Sequence, residues 1–394
     1  MGLWLLLVCA GSAQSVVDPG VLGDFVKRFD AQPGERPLEC SVTPIQPSLN
    51  FSFRFQSGYV VRIPMRQYFG SGHAWLIAVR VTPEGGGGQP VYFAYKVTLP
   101  DVPLNNVETE QGGGYLLGAG KYRVRWLLLD NDGRVCRKEW RLEAALKRGE
   151  RQAKVAAPPY SIQAFSLGSG AADGALRDDR SPFRVTILLH AAPLSPFRNR
   201  LRASDQVLLV GSLSALLERL PARSVRIVVF NLAQQRELYR RDGFTPAALD
   251  EVTRAIGSLE LNVVNYHVLE HPKGHMDLLS DIVNKELRSD EPSDAVIFLG
   301  PASRFSDKPA ADAWDRPPGS SAPLFLYLQY RPVFRGALTD PQRLGRLQQS
   351  NVPETLGLTV AALKGKTYRI YTPADFAKAI AQLERLVPPP AGVR

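Results

Sequence analysis

The sequence predicts two parts: an N-terminal all-β sandwich, and a C-terminal α/β domain with a doubly wound, mostly parallel sheet. Short strands with alternating apolar and polar residues follow one another between residues 38 and 146. From residue 183 onward, near-continuous apolar strands alternate with amphipathic helices. The composition of the 394 residues, 44% hydrophobic and 22% charged, suits a globular protein with room for two domains.

Residues 1–13 predict a secretory signal peptide. An apolar run at residues 3–10 precedes the small residues Gly11 and Ala13, and cleavage after Ala13 would follow the usual pattern. The run is too short to span a bilayer, which takes ~20 apolar residues. The alternative is a buried strand or helix of the folded protein. We therefore expect export to the periplasm or the extracellular medium, with residues 14–37 as a leader segment before the first domain.

Removal of the signal peptide leaves two cysteines, Cys40 and Cys136. An even count in an exported protein predicts one disulfide. Two separate buried thiols are the alternative. The bridge would close a long loop and stabilise the fold by ~4 kcal/mol on loop-entropy grounds.

The formal net charge is +10, with a pI near 9.5. Basic patches can bind nucleic acid or anionic surfaces. Here Lys and Arg are scattered over strands and loops without an aromatic-interleaved stripe, and exported proteins seldom meet nucleic acid. We expect a solvated surface that is attracted to an anionic envelope polymer, and no nucleic-acid partner.

The first domain, residues 38–146, shows the strand signals of a sandwich with about seven strands. Asp130-Asn-Asp-Gly133 predicts a hairpin turn because Asp-Gly tolerates positive φ. Gly120-Lys-Tyr122 resembles the entry into a late strand of bacterial immunoglobulin-like domains. The predicted strands include residues 49–55, 59–63, 74–79, 91–97 and 122–128. The following residues, 147–182, are rich in Arg, Ala, Gly, Pro and Asp and predict a linker with one short strand at 160–165.

The second domain alternates strands with helices that carry clear start signals. Thr245-Pro246 combines a cap residue with proline at the first helical position, and Thr372 with Asp375 gives a capping-box pattern. The predicted strands are residues 184–189, 225–231, 261–268, 295–300, 324–330 and 367–371. Apolar runs of this kind are typical of strands covered by helices on both faces.

The element order of residues 183–388 resembles the von Willebrand factor type A domain. Residues 185–189 resemble its opening strand, 225–231 its second strand, and 236–239 the antiparallel edge strand that follows. Residues 295–299 and 363–380 are similar to a later strand and to the terminal strand-to-helix pattern. The layout with a signal peptide also resembles bacterial exported proteins labelled von Willebrand factor A-related. Residues 389–394 are left as a tail.

The resemblance implies a metal-ion-dependent adhesion site, which this chain lacks in recognisable form. The family places Asp-x-Ser-x-Ser after the first strand, a Thr in a second loop and an Asp in a third, oxygen ligands that suit Mg²⁺. The first loop here holds His190, Ala192 and Leu194. The third reads Gly300-Pro301, and the second, placed near 274–277, contains no Thr. We expect a degenerate site that binds no metal, and no cofactor.

Histidines provide the alternative chemistry. His267, His271 and His275 recur every four residues, and His190 is predicted at the same edge of the sheet. Together with Asp277 such imidazoles could hold zinc. The opposing interpretation, which we favour because no recognised ligand spacing is present, is a set of hydrogen-bonded structural histidines.

No Walker loop, Gly-x-Ser-x-Gly elbow, Cys-x-x-Cys or His-Glu-x-x-His occurs in the sequence. The loop at residues 301–323 is long enough to be functional, although a plain flexible insertion explains it equally well. We expect a non-catalytic, metal-independent protein that binds a protein or an envelope polymer. A zinc metalloenzyme and a structural component of the cell envelope are the alternatives. The candidate partner-binding residues are His190, Asn231, His275, Arg304, Phe305 and Trp314.

Overall fold

A computed structural model describes residues 15–18, 20, 23–30, 34–103, 106–165, 183–195, 198–263, 266–315, 322–331 and 353–386, with the backbone alone at 23–25 and 267. The expected signal peptide and the tail lie outside these residues. The chain divides into two compact units. The sandwich unit comprises residues up to 148 with 155–165, and the α/β unit comprises 149–154 with the residues from 166 onward.

The sandwich unit consists of two sheets, so the expected all-β architecture is present. The six-stranded sheet has the order β1-β6-β5-β8-β9-β2, and the four-stranded sheet has the order β10-β7-β4-β3. The strands are β1 Ser15–Val17, β2 Arg36–Pro37, β3 Ser41–Leu49, β4 Phe55–Pro64, β5 Ala74–Pro83, β6 Val91–Thr98, β7 Glu108–Leu117, β8 Gly120–Asp130, β9 Arg134–Ala144 and β10 Ile162–Ala164.

Aromatic side chains fill the space between the two sheets. Tyr59 on β4 meets Trp126 on β8 with ring centroids 5.6 Å apart, and Phe93 on β6 stacks on Tyr115 of β7 at 5.9 Å. All four residues are almost fully buried. Inward-facing positions of both sheets therefore form one core, as the alternating pattern predicts.

The predicted disulfide is confirmed: Cys40 and Cys136 are bonded, with their Cα atoms 6.3 Å apart. Cys40 immediately precedes β3 in the four-stranded sheet, and Cys136 lies on β9 in the six-stranded sheet. The bond therefore joins the two layers of the sandwich across a sequence separation of 96 residues.

The segment expected as a separate leader is part of the sandwich where the structure describes it. Strand β1 pairs antiparallel with β6, and a 3₁₀ helix spans Gly23–Phe29. Phe29 is buried and its ring lies 5.8 Å from that of Tyr92. The segment packs here because the outer face of the six-stranded sheet carries apolar side chains that need cover.

Part of the predicted linker also belongs to the sandwich unit. The short strand expected at 160–165 is β10, which pairs antiparallel with β7. Just before it, Tyr160 adopts a φ of 60° and its ring lies against Gly85, Gly86 and Gly120. A Cβ on Gly86 or Gly120 would lie 2.7 Å from that ring, so only glycine accommodates the tyrosine. Residues 166–182 lie outside the described part of the chain.

The α/β unit contains a six-stranded sheet with the order β13-β12-β11-β14-β15-β16. Every neighbouring pair is parallel except β12 with β13, which is antiparallel. The strands are β11 Arg184–His190, β12 Ser224–Asn231, β13 Arg236–Arg241, β14 Ala295–Pro301, β15 Leu324–Tyr330 and β16 Lys366–Ile370. The helices are α1 Ala203–Arg219, α2 Leu249–Gly257, α3 Tyr266–Glu270, α4 Gly274–Leu287, α5 Thr355–Ala362 and α6 Pro373–Leu386.

Five of the six predicted parallel strands are present within one or two residues of their expected bounds, and the edge strand β13 is antiparallel as expected. The strand predicted at 261–268 is wrong, because residues 261–263 form a turn and 266–270 form helix α3. A short apolar run does not by itself separate a strand from a helical turn. Within the described residues, no helix is long and apolar enough to cross a membrane.

A buried ion-pair network ties helix α4 to three strands near the amino edge of the sheet. Glu286 is 1% exposed and accepts hydrogen bonds from Arg226 of β12 at 2.8 Å and Arg240 of β13 at 3.0 Å. The hydroxyl of Thr186 on β11 donates to the same carboxylate at 2.8 Å. Opposite charges and hydrogen bonds offset the cost of burying this carboxylate.

Candidate functional site

A cavity of about 230 Å³ opens at the carboxyl edge of the α/β sheet. The strand order reverses around β11, because β12 lies on one side of it and β14 on the other. At such a reversal the loops leaving the strands diverge and create a crevice where ligands bind. Three loops contribute: residues 190–193 and 198–199 after β11, 231–234 after β12 and 302–305 after β14. The remaining wall consists of Leu261, Val263, Val268 and Leu269.

His190, the last residue of β11, forms part of the cavity floor. It is 2% exposed, its ring stacks on Phe230 at a centroid distance of 5.3 Å, and its Nδ1 lies 3.1 Å from the carbonyl oxygen of Pro301. Because a carbonyl can only accept, Nδ1 carries the proton. Burial lowers the pKa of His190 to about 4, and the hydrogen bond to Pro301 opposes that shift. The ring is therefore neutral near pH 7, with Nε2 as an acceptor.

The end of strand β14 packs closely on this histidine. Gly300 has a φ of 149°, and a Cβ built on it would lie 2.7 Å from the carbonyl oxygen of His190. Any side chain at this position would push β14 away from β11. The hydroxyl of Tyr327 also donates to the carbonyl of Pro301, at 2.9 Å, and helps to hold the end of β14 in place.

Asn231, the last residue of β12, connects the first two loops. Its Nδ2 donates to the carbonyl of Ala191 at 2.6 Å, and its Oδ1 accepts from the backbone N–H of Gln234 at 2.7 Å. The residue is fully buried. The amide thus satisfies backbone groups where two strands end, and it holds both loops in place.

Glu354 is the N-cap of helix α5 and also contacts the third loop. Its carboxylate accepts hydrogen bonds from the backbone N–H groups of Leu356 and Gly357 and from the amide of Gln329. It also accepts from the N–H of Ser303, at 2.9 Å. One buried side chain therefore caps a helix and positions the loop that lines the cavity.

His275 lies at the start of helix α4 beside the same loop. Its ring is buried and stacks on Phe305 with centroids 3.9 Å apart and planes 11° from parallel. Its Nε2 lies 3.0 Å from the Oδ2 of Asp307. The histidine fixes the conformation of the third loop, and Phe305 presents its ring to the cavity.

The charged residues that line the cavity are all basic. Arg198 and Arg304 line it, and none of its lining residues is Asp or Glu. Across the described chain, neither guanidinium pairs with a carboxylate. Arg304 lies over the Phe305 ring at 5.1 Å from its centroid, which leaves the edge of its guanidinium for other acceptors. A cavity with unpaired cations and no internal acid favours an anionic ligand.

One part of the cavity lining is apolar and partly open to solvent. Val263 is 56% exposed and Leu269 is 63% exposed, and Tyr266 nearby is 73% exposed. Leu261 and Val268 line the cavity beside them. Large apolar side chains gathered at the mouth of a cavity mark a contact surface more often than scattered exposed ones do.

The structure brings four of the six candidate partner-binding residues to one cavity: His190, Asn231, Arg304 and Phe305. His275 supports Phe305 from behind, and Trp314 packs against the hydrophobic core of the unit. The sequence did not single out Arg198 or Glu354. Their contributions depend on where two loops fold back, and a single sequence carries no signal for that.

The histidines proposed as zinc ligands have other contacts. His190 hydrogen-bonds a backbone carbonyl, and His275 pairs with Asp307 rather than with Asp277. In the described part of the chain, no three His, Cys, Asp or Glu side chains lie close enough to hold a metal ion. The side chain of His267 lies outside the described residues.

No protein-family model and no curated protein matches this chain. Among solved structures, it is similar to the ApaA protein of Bordetella pertussis at 20% identity, over 29% of this chain and 99% of that one, with a TM-score of 0.19. It is also similar to a β-glucuronidase of Bacteroides uniformis at 9% identity, over 80% of this chain and 39% of that one, with a TM-score of 0.18. Scores this low carry no argument about fold or activity.

Proposed function

We propose that this chain is an exported, non-catalytic binding protein whose C-terminal unit is a von Willebrand factor type A-like domain with a degenerate metal site, preceded by an immunoglobulin-like sandwich. The strand order, with its antiparallel edge strand next to β12, supports the domain assignment. The disulfide between Cys40 and Cys136 supports export, because such bonds persist in oxidising compartments.

The observation that carries the binding function is the cavity at the carboxyl edge of the α/β sheet. It is built by three loops that Asn231, Glu354 and His275 hold in defined positions. Its lining combines two arginines, which pair with no carboxylate of the described residues, with an open apolar wall. Rigid loops around a concave surface are typical of recognition sites. The partner is a protein or an anionic envelope polymer.

The arrangement of the first loop favours binding without a metal. The position that holds the first family aspartate carries His190, whose Nδ1 donates to the carbonyl of Pro301. The next positions, Ala192 and Leu194, offer no side-chain oxygen. An imidazole and two apolar side chains do not reproduce the oxygen ligands that Mg²⁺ prefers. No observation on the described residues favours the zinc enzyme over this function.

A capture experiment with the full-length chain lacking residues 1–13 tests the proposal. Ala233→Trp fills the cavity, since Ala233 lines it, whereas Ala311→Trp places the same side chain on an exposed position outside it. Separate protein and polymer fractions of a bacterial envelope are passed over each immobilised variant. We expect the parent chain and Ala311→Trp to retain the same partner and Ala233→Trp to lose it, with or without excess EDTA.

Three results would contradict the proposal. Retention by Ala233→Trp would place the binding surface elsewhere, for instance on the sandwich, and would favour the structural-component alternative. Loss of binding in EDTA would contradict metal independence. Metal analysis of untagged protein is the third check, because about one tightly held zinc per chain would favour the enzyme alternative.

A further inference from the structure

We propose that the cavity takes an acidic peptide segment, in which an Asp or Glu side chain lies between Arg198 and Arg304 while flanking aliphatic residues pack on the wall formed by Leu261, Val263 and Leu269. This inference rests on the proposed function and specifies the partner of the same site. It commits to a protein rather than a polymer.

The carboxylate is inferred from the charges of the lining. Arg198 is half-buried and Arg304 is exposed, both line the cavity, and neither pairs with an acidic side chain among the residues that the structure describes. Elsewhere in the same unit, three arginines are paired with carboxylates: Arg226 and Arg240 with Glu286, and Arg241 with Glu251. Guanidinium groups bind carboxylates through charge-assisted, bidentate hydrogen bonds, which are about twice as strong as neutral ones. The ligand supplies the charge that the cavity lacks.

A peptide is inferred from the apolar wall. Val263 and Leu269, which line the same cavity as the arginines, each expose more than half of their surface, 56% and 63%. Polysaccharides and polyphosphates have little aliphatic surface to place against them. A peptide with Leu or Val next to its acid removes this surface from water at about 25 cal/mol per Å². Phe305 is a further apolar residue of the cavity lining.

The floor also suits a peptide backbone. His190 is neutral and its acceptor nitrogen Nε2 is not engaged in the hydrogen bond that fixes the ring. An imidazole acceptor of this kind matches a backbone N–H, whereas a second cation on the floor would compete with the arginines for the acid. The cavity volume of about 230 Å³ accommodates one acidic side chain and part of a neighbour, so the rest of the segment would lie on the exposed wall.

An array of immobilised decapeptides, probed with the full-length chain lacking residues 1–13, tests the inference. The central residue is Asp, Glu, Asn, Gln, Lys or phosphoserine. Each central residue is combined with two kinds of flanking sequence, one of Leu and Val and one of Ser and Gly. We expect the signal to concentrate on Asp and Glu with aliphatic flanks. Loss of both arginines in R198A/R304A should weaken binding roughly tenfold to hundredfold, as expected for lost charge-assisted hydrogen bonds.

The matched control, R223A/R254A, removes the same net charge from exposed positions that do not line the cavity. It should bind like the parent chain at physiological salt, where long-range attraction is screened beyond ~8 Å. The charge-reversed R198E/R304E should shift the preference from acidic to Lys-centred peptides. That reversal distinguishes local recognition from the general basicity of the chain.

Several outcomes would overturn the inference. Equal binding of acidic peptides with Ser and Gly flanks would contradict the role of the apolar wall, and a preference for phosphoserine would identify a different ligand. Equal losses in R198A/R304A and R223A/R254A would show attraction by net charge alone. If no peptide binds but an envelope polymer is retained by the parent chain and lost by Ala233→Trp, the peptide inference fails and the proposed function stands. If Ala233→Trp retains the partner, the proposed function itself fails.

Discussion

Replacing His190 with Phe should remove a pH dependence from the stability of the α/β sheet. Phenylalanine keeps a flat ring against Phe230, whose centroid lies 5.3 Å from that of the histidine. It loses the N–H that donates to the carbonyl of Pro301, yet this carbonyl still accepts from the hydroxyl of Tyr327. The pH-independent cost of the substitution should therefore be modest, on the order of 1 kcal/mol.

The size of the effect follows from the pKa of the histidine. Burial lowers it from 6.5 to about 4 in the folded chain. Between these values the unfolded chain binds the additional proton, so the free energy of unfolding of the parent falls as the pH falls through this window. The full difference corresponds to about 3 kcal/mol, reached near pH 4 and absent above pH 7. His190→Phe has no such group and lacks this contribution.

Hydrogen exchange of peptides from β11 and β14, converted to opening free energies at several pH values, isolates this sheet from the sandwich. Carboxylates titrate equally in both proteins, so their contribution cancels when the opening free energy of one is subtracted from that of the other. We expect the parent to be the more stable of the two by about 1 kcal/mol near pH 7 and the less stable by about 2 kcal/mol near pH 4. A difference in free energy that stays constant from pH 7 to pH 4 would refute the assignment of His190 as a buried neutral residue.

Three further substitutions test the framework around the site. Cys136→Ser should destabilise the sandwich unit by about 4.7 kcal/mol in denaturant unfolding, because a loop of about 100 residues is released; an unchanged midpoint would contradict this. Glu286→Gln should cost about 3–5 kcal/mol by thermal unfolding, since two arginines lose a buried partner, whereas Glu291→Gln on an exposed ion pair should cost less than about 1 kcal/mol. Gly300→Ala should cost more than about 1 kcal/mol, because its φ of 149° and its 2.7 Å approach to the His190 carbonyl exclude a Cβ; a stable variant with unchanged exchange in β11 would count against that close packing.

The pattern of apolar residues in the sequence predicted most of the strands. The buried strands β11, β12, β14 and β15 were predictable because their apolar runs alternate with helix signals, as expected for strands covered by helices on both faces. The wrong prediction at 261–268 has a physical cause. The apolar residues there line an open cavity instead of packing in a sheet, so the sequence shows the apolar run of a strand where no strand forms.

The candidate site was predictable in position but not in detail. His190 and Asn231 end adjacent parallel strands, so topology alone places them at one edge. Arg198 and Glu354 reach that edge from loops whose path depends on tertiary contacts. For the histidines, the absence of a recognised ligand spacing favoured a structural role over a metal site, but it did not identify their contacts. The hydrogen bond of His190 and the ring stacking of His275 on Phe305 account for these two side chains in structural terms.

The tyrosine held among three glycines has a consequence for how this chain can be divided. Strand β10 covers the outer edge of β7, and Tyr160 fastens it there against Gly85, Gly86 and Gly120. A fragment that stops at residue 146 would leave the hydrogen-bonding groups of β7 open to other chains, and exposed edges of this kind promote aggregation. The autonomous unit for folding, crystallisation or protease mapping therefore extends to residue 165, beyond the point where the strand pattern of the sandwich ends.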